Sequence, residues 1–269
     1  MEQKENPYII AGGLEGKKRL KVLASVLDQK TLSLLEMDGS LNGKKLLDVG
    51  CGGGDVSIMA AKKIGNNGMV TCLDFDTEII SLAQQDAKDE DLKNVFFKAM
   101  NAYELTFENE YDIVYSRFLL SHLKHPSLVL ANMLNSLKPG GRIIVEDIQF
   151  SGHFCYPESK AFEDYLNYFT ASAKNHDHNP EIGPLLYKLF HEAGVKEINF
   201  DTIQPSFNKG IGKWMAYITM DKIKDTVIKQ GLADELIIEN TLKELELFTL
   251  DEHTIISLPR IFRVWGVKS

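Results

Sequence analysis

Apolar residues in the first half of the chain form short continuous runs that alternate with segments of helical spacing. The short runs, which are typical of buried strands, lie at 45–49, 69–73, 94–99, 111–115 and 142–146. Apolar positions every three or four residues predict helices over 55–64, 77–88 and 127–137. Strands that alternate with helices of this length predict βαβ units, and therefore an α/β fold with a parallel, doubly wound sheet.

Both ends of the chain depart from this alternation. Residues 14–36 are spaced as a helix that is interrupted near Asp28 and closed by Asp38-Gly39. Beyond residue 147, helices are predicted over 158–173, 180–193, 212–229 and 233–248, and strands over 195–202 and 255–267. Two segments, 148–180 and 205–252, break the βα rhythm, and we expect them to carry substrate-specific structure.

Length and composition exclude several classes of protein. The 269 residues, 44% hydrophobic and 25% charged, are sufficient for one large globular domain or one domain with a modest appendage. A net charge of −8 disfavours binding to nucleic acid or to anionic lipid. No apolar stretch is long enough to span a membrane, and the N-terminus lacks the apolar core of a signal peptide. Three cysteines without metal-type spacing are typical of a reducing compartment, so the sequence predicts a cytoplasmic protein.

A glycine-rich turn between the first strand and its helix is the most informative motif. It contains Asp48, Gly50, Gly52 and Gly54, and glycine lets a ligand approach the backbone N–H groups. Asp55 occupies the third glycine position of a dinucleotide fingerprint, and the chain has no phosphate-binding P-loop motif. Because these carboxylates would repel a pyrophosphate, the motif favours an amino-acid nucleoside with a positively charged sulfonium centre.

Two later positions complete the predicted nucleoside site. Asp74 ends the second strand, 24 residues after Gly50, where a carboxylate can accept hydrogen bonds from both ribose hydroxyls. The alternative roles for Asp74 are a helix cap or an exposed acid in a turn, and the glycine turn at this distance favours ribose binding. Phe75 could pack on the adenine, and the amide of Asn101, beside Ala102, could contact the adenine amino group.

Together with the runs at 111–114 and 137–141, these motifs occur in the order typical of the class I S-adenosylmethionine-dependent methyltransferases, and the chain most resembles the ubiquinone- and menaquinone-biosynthesis type. The resemblance covers about residues 8–150. It implies a Rossmann-like, doubly wound sheet of seven strands with an antiparallel last strand at 255–267, and helical lid insertions. It also implies that S-adenosyl-L-methionine is the cofactor, S-adenosyl-L-homocysteine the product and a small molecule the acceptor of the methyl group. The resemblance divides the chain into a helical cofactor-covering segment, 1–42, and a methyltransferase domain, 43–269.

The resemblance further implies individual cofactor contacts. Asp48, Gly50 and Gly52 would contact the methionine part, Asp74 the ribose, and Asn101-Ala102 the adenine. Asn101 stands where an aspartate is more usual, and its acceptor oxygen implies weaker but retained binding. The full predicted cofactor-binding set is Tyr8, Asp48, Gly50, Cys51, Gly52, Asp74, Phe75, Asn101, Ala102, Ser116 and Arg117.

Candidate catalytic residues follow the fourth and fifth strands. His122, Glu146 and Tyr156 are predicted to act on the acceptor, and a general base is needed only if the nucleophile is protonated at neutral pH. Neither the pair His122 and His125 nor the run 176–178 is favoured as a metal site, so no metal is predicted. The basic residues 17, 18, 19 and 21 are predicted to form a solvated helix face.

The segment from 150 to 190 contains nine aromatic residues, and three of them, Phe162, Tyr165 and Phe169, share a helical face. They form either an ordinary helix core or an aromatic-walled lid around an apolar or cationic small substrate. Two alternatives to the methyltransferase remain open from the residues themselves. One is a nicotinamide-dependent oxidoreductase, and the other is a protein that binds S-adenosylmethionine without catalysis.

Overall fold

A mixed sheet of seven strands forms the centre of this computed structural model, which describes residues 13–269. Its strands are β1 (Lys45–Val49), β2 (Met69–Asp74), β3 (Val95–Ala99), β4 (Tyr111–Arg117), β5 (Leu137–Gln149), β7 (Lys196–Ile203) and β10 (Arg260–Val267). Their order is β3-β2-β1-β4-β5-β10-β7. Strands β1 to β5 are parallel, and β10 lies antiparallel between β5 and β7. The predicted seven-stranded sheet with an antiparallel last strand is confirmed.

Helices cover both faces of the sheet and its carboxyl edge. They are α1 (Gly13–Leu35), α2 (Asp55–Ile64), α3 (Thr77–Asp89), α4 (Pro126–Ser136), α5 (Lys160–Asn175), α6 (Leu186–Glu192), α7 (Met215–Lys229) and α8 (Glu235–Leu250). One apolar cluster joins the sheet to α4 and α6, and a second joins it to α1, α2 and α3. A third joins α5, α7 and α8 to Phe150, directly after β5. None of the described helices has the length and apolarity needed to cross a bilayer.

The last predicted strand is divided between two sheets. Residues 255–257 form β9 (Ile255–Ser257), which pairs with β6 (Cys155–Tyr156) and β8 (Ser206–Phe207) in a separate three-stranded sheet. The chain then passes through Leu258 and Pro259 into β10. Proline has no N–H group to donate to a ladder, so a continuous strand over 255–267 was the wrong prediction.

The first helix also differs from the prediction. α1 continues through Asp28 without interruption, because the Asp28 carboxylate accepts a hydrogen bond from Arg117 Nη1 at 3.1 Å and so does not cap the helix backbone. The predicted helix break near this residue was therefore wrong. The same contact fixes the middle of α1 to the end of β4.

Candidate active site

The glycine turn after β1 has a backbone that only glycine accommodates easily. Gly50, Gly52 and Gly54 have φ values of 75°, 51° and 79°. The N–H groups of Gly50 and Cys51 both donate to Leu73 O, at 2.7 and 2.9 Å, which fixes the turn against the end of β2. A Cβ atom on Gly52 would lie 2.9 Å from Leu20 Cδ1 of α1. The turn is thus closely covered by α1.

Asp74, at the end of β2, is bound to the same turn. Its Oδ2 accepts the N–H of Gly52 at 2.9 Å, and its Oδ1 accepts the N–H of Asp76 at 3.1 Å. The residue is only 7% exposed, and burial raises the pKa of its carboxyl group. Each oxygen of a carboxylate can accept more than one hydrogen bond, so both oxygens can still accept from a hydroxyl of a ligand.

The first turns of α1 are fixed above the glycine turn by polar contacts with α3. Lys17 is 5% exposed; its Nζ donates to Leu82 O at 2.7 Å and lies 2.9 Å from Asp86 Oδ2. Arg19 is partly buried and donates from Nε to Thr219 Oγ1 of α7 at 3.2 Å. Of the four basic residues predicted to form a solvated face, 17, 18, 19 and 21, only Lys18 and Lys21 are exposed. A fully solvated basic face was therefore the wrong interpretation for Lys17 and Arg19, whose side chains cross to neighbouring helices.

A cavity begins at the glycine turn and continues to the aromatic residues of α5. The predicted site residues that line it are Asp48, Gly50, Cys51, Gly52, Asp74, Arg117 and His122. Its far end is lined by residues that include Phe150, Tyr165, Phe169, Met215 and Thr219. The structure therefore brings the predicted methionine and ribose contacts together with one of the three predicted catalytic residues.

Several other predicted residues lie outside the lining of this cavity. They are Phe75, Asn101, Ala102, Ser116, Glu146 and Tyr156. Tyr156 is 67% exposed, and Asn101 uses its side-chain oxygen to accept the N–H of Tyr103 at 3.1 Å. Their assigned roles stay predictions. Tyr8 lies outside the described residues.

Glu146, the second predicted catalytic residue, is buried beneath α1. Its Oε2 accepts hydrogen bonds from Thr31 Oγ1 at 2.7 Å and from Tyr115 OH at 2.9 Å. Within residues 13–269, its Oε1 has no hydrogen-bond partner. These contacts let Glu146 connect α1 to β4 and β5, while direct contact with an acceptor would require it to reach the cavity from outside the lining.

The charges along the cavity favour a cationic ligand beside the turn. Burial raises the pKa of Asp48 to about 6, and it also raises the pKa of Asp55. Burial alone would lower the pKa of Arg117, but Tyr115, Glu146 and Asp28 outweigh burial and raise it. Arg117 is already paired with Asp28, so the acids at the turn are not all neutralised. A pyrophosphate would meet repulsion here, whereas an ammonium or sulfonium group would be attracted.

Two histidines line the cavity in their neutral form. Burial lowers the pKa of His122 to about 3, and the nearby His178 lowers it further in the same direction. Burial lowers the pKa of His153 to about 4. His153 Nδ1 lies 2.8 Å from Phe150 O, a carbonyl that can only accept, so Nδ1 carries the proton. The other ring nitrogen of His153, Nε2, is then a hydrogen-bond acceptor.

The neutral state of His153 predicts an acid-sensitive fold. Its pKa is about 6.5 when unfolded and about 4 when folded, so below pH 6.5 the unfolded chain binds a proton that the folded chain does not. The stabilisation is complete above pH 6.5 and is lost as pH falls towards 4, by at most roughly 1.4 kcal/mol per pH unit. The His153→Asn variant keeps a donor for Phe150 O, and its unfolding free energy should fall less steeply than that of the wild type.

Denaturant unfolding between pH 7 and pH 4.5 measures this difference directly. Asp48 and Asp147, whose pKa values are raised to about 6 by burial, act in the opposite sense, and their effect cancels in the comparison. His253→Asn is the matched control, because His253 is exposed. Parallel curves for the wild type and the His153→Asn variant would contradict the prediction.

Sequence reasoning missed the contribution of α1 to the cavity. Gly16, Arg19, Leu20 and Leu23 all line it. Their spacing of three, four and seven residues marks one helical face, which was the available signal. A glycine and an arginine within that face differ from an ordinary apolar stripe. The arginine was instead grouped with the lysines next to it in sequence.

Comparison with known proteins identifies a family to which the chain is similar over more than half of its length. The family described as "Methyltransferase domain" matches residues 40–194, more than half of the chain. A demethylmenaquinone methyltransferase from Listeria welshimeri is 38% identical over 120 residues, 44% of this chain and 50% of that protein. The ubiquinone/menaquinone biosynthesis C-methyltransferase of Vibrio parahaemolyticus is 29% identical over 133 residues, 49% of this chain and 51% of that protein. The chain thus spans about half the length of the curated relatives it matches.

The fold likeness extends further along the chain. A phosphoethanolamine N-methyltransferase 2 from Haemonchus contortus, solved with phosphomonomethylethanolamine and S-adenosylhomocysteine, superposes with a TM-score of 0.54 at 17% identity. The match covers 98% of this chain and 54% of that one, and at this identity it shows the fold alone. The strand order, the glycine turn with its carboxylate partner and the matching family together show that the chain belongs to the class I S-adenosylmethionine-dependent methyltransferases.

Proposed function

We propose that this chain transfers the methyl group of S-adenosylmethionine to a small-molecule acceptor by in-line displacement. The observation that carries the proposal is the continuity of the cavity. The glycine turn and Asp74 lie at one end of it, and the aromatic residues Phe150, Tyr165 and Phe169 at the other. A cofactor held at the turn and an acceptor held against the rings would meet within one space.

The residues around the turn fit S-adenosylmethionine. Asp74 has carboxylate oxygens available for the two ribose hydroxyls, and Gly50 and Gly52 present backbone where a Cβ atom would crowd Leu119 and Leu20. Asp48 and Asp55 suit the positive charges of the amino-acid part. When bound, the cofactor would supply a methyl group already activated by a sulfonium centre.

The chain's own contribution is to orient the acceptor and to exclude water. α1 closes the cavity above the turn, which supports the proposed role of residues 1–42 as a cofactor-covering segment. A general base works best with a pKa near the working pH, and the pKa of His122 is about 3. We therefore propose that His122 and His153 accept hydrogen bonds and that the acceptor is nucleophilic without a strong base.

The far end of the cavity supports an acceptor with an apolar or aromatic body. The rings of Phe150 and Phe169 stack with centroids 4.0 Å apart and planes inclined by 15°. Tyr165 and Phe169 are 3% and 4% exposed, so they belong to the core and also line the cavity. The core and lid hypotheses thus describe the same face of α5, which packs against the core and also lines the cavity. The acidic net charge continues to disfavour nucleic acid as the acceptor.

Calorimetric titration of the full chain tests the proposal. We expect saturable binding of S-adenosylhomocysteine and no binding of NAD at millimolar concentration. Incubation with S-adenosylmethionine and a panel of small aromatic acceptors should then release S-adenosylhomocysteine. Binding without release across the panel would favour a protein that binds the cofactor without catalysis. Binding of NAD alone would favour the oxidoreductase alternative and reject the proposal.

A further inference from the structure

Arg19 is a cavity-lining cation without a counter-ion among the described side chains. Among the described side chains, which exclude those of residues 1–12 and 15, no carboxylate forms an ion pair with its guanidinium, whose hydrogen bond goes to the neutral Thr219 hydroxyl. By contrast, Arg117, Arg142 and Arg263 pair with Asp28, Asp38 and Asp201. Arg260 also has no carboxylate partner, but it is exposed and donates to the Gln149 amide. Among the described arginines, Arg19 therefore combines partial burial with the absence of a carboxylate partner.

Burial of an uncompensated guanidinium destabilises a fold. Removing a charge from water costs free energy that only a partner of opposite charge, or several hydrogen bonds, can offset. Burial correspondingly lowers the pKa of Arg19. A destabilising charge in the wall of a cavity is expected to bind a ligand, because residues that lower the stability of a fold are found mainly at functional sites.

The orientation of α1 directs Arg19 towards the acceptor end of the cavity. Leu20 and Lys17 lie over the turn, close to where Cβ atoms on Gly52 and Gly53 would project. Leu23, one helical turn after Arg19, packs in a cluster with Met215, Leu258 and Ile261, and Leu20 packs against the edge of this cluster. Arg19 lies on the same side of α1 as Leu23, and its Nε reaches Thr219 of α7.

Two hydroxyl groups accompany the guanidinium. Thr219 Oγ1 accepts from Arg19, and the Thr219 hydroxyl is also hydrogen-bonded to the Tyr165 hydroxyl. Tyr165 also lines the cavity near Arg19, and burial raises its pKa to about 12, so it stays a neutral O–H donor at neutral pH. One of the two hydroxyl protons is used between Thr219 and Tyr165, so the guanidinium and the remaining O–H are the donors offered to a ligand. A guanidinium beside a hydroxyl donor is suited to a carboxylate.

We propose that Arg19, assisted by Thr219 and Tyr165, binds a carboxylate carried by the methyl acceptor. The substrate class is then a small carboxylic acid whose aromatic or apolar body lies against Phe150 and Phe169. This inference rests on the proposed function, because it assigns the acceptor half of that site. It replaces the cationic acceptor that the aromatic residues alone would allow, and it differs from the neutral quinone that the relatives' names suggest.

Matched acid and amide probes test the inference. The pairs are benzoate and benzamide, phenylacetate and phenylacetamide, and 2-naphthoate and 2-naphthamide, titrated calorimetrically with and without saturating S-adenosylhomocysteine. We expect the wild type to bind at least one acid about tenfold or more tightly than its amide, as a charge-assisted hydrogen bond implies. Arg19→Gln should abolish this preference, and Arg19→Lys should retain part of it.

Lys30→Gln is the matched control, since it removes one positive charge from an exposed position of the same helix. It should keep the acid preference. The affinity for S-adenosylhomocysteine should stay within about twofold of the wild type in all three variants. The thermal midpoint of Arg19→Gln should be unchanged or higher, because the substitution removes an uncompensated charge.

Three results would overturn the inference. The first is equal binding of acid and amide, or no binding of any acid, by the wild type. The second is a loss of S-adenosylhomocysteine affinity in Arg19→Gln with the acid preference intact, which assigns the guanidinium to the cofactor. The third is a lowered thermal midpoint with the preference intact, which makes Arg19 structural. An Arg19-dependent acid preference in a wild type that binds no S-adenosylhomocysteine would reject only the proposed function.

Discussion

Substitution of Gly52 by valine is expected to lower the affinity for S-adenosylhomocysteine by about 100-fold or more, equivalent to about 2.7 kcal/mol. Gly52 has a φ of 51° and lines the cavity, and its Cβ atom would lie 2.9 Å from Leu20 Cδ1. The valine side chain would occupy space proposed for the methionine part. It would also push α1 away from the turn. Calorimetry measures the affinity, and circular dichroism confirms that the variant is folded.

Gly140→Val separates this steric effect from backbone strain. Gly140 has a φ of 74°, and nothing lies within 4 Å of the position of its Cβ atom. A β-branched residue is strained in both backbones, so both variants should lose stability. Only Gly52→Val should lose ligand affinity. Wild-type affinity in a folded Gly52→Val variant would mean that the cofactor does not lie against this turn.

The second large effect is expected from Asp74→Ala, with a loss of about 100-fold in affinity for S-adenosylhomocysteine. Two hydrogen bonds from ribose hydroxyls to a carboxylate are worth about 1.5 kcal/mol each at the lower end of the usual range. The substitution also releases the N–H of Gly52, which Asp74 Oδ2 accepts at 2.9 Å. Part of the loss could therefore act through the turn, and a second ligand is needed to separate the two contributions.

A 2′-deoxyribose analogue of S-adenosylhomocysteine provides that separation. It lacks one of the two hydroxyls, so Asp74→Ala should weaken its binding less than it weakens binding of the parent compound. An equal loss for both ligands would show that Asp74 acts only by holding the turn. Asp89→Ala, an exposed carboxylate at the end of α3, should leave both affinities unchanged.

The half of the cavity formed by the glycine turn and Asp74 was predictable because its geometry is local. Parallel strands end at the same edge of a sheet, so the spacing from Gly50 to Asp74 along a βαβ unit is enough to bring them together. The structure adds the direct contact from Gly52 N to Asp74 Oδ2. Because β1, β2 and β4 are buried on both faces of the sheet, they appear in the sequence as continuous apolar runs and could likewise be predicted.

The acceptor half was less predictable because it depends on contacts between distant segments. Arg19 is placed by Thr219, 200 residues away, and the lysines beside it in sequence concealed its helical face. Tyr156 follows β5 closely enough in sequence to be predicted at the cavity. Its short strand instead joins the three-stranded sheet, and its side chain is 67% exposed. Leu258 and Pro259 line the cavity at the point where the last strand divides. The division depends on the pairing of β9 with residues 155–156 and 206–207, which are distant in sequence.

The passage of the chain through Leu258 and Pro259 has an implication for how such a protein can diversify. These residues are the covalent joint between the three-stranded sheet and the central one, and they form part of the wall of the cavity in which we propose that the acceptor binds. Insertions on the β9 side of this joint would change the shape of the cavity, and therefore which small molecule fits it, while the hydrogen-bond register of β10 with β5 stays intact. Selectivity for the acceptor can therefore change at this joint with little loss of stability in the central sheet, which positions the proposed site of the methyl donor.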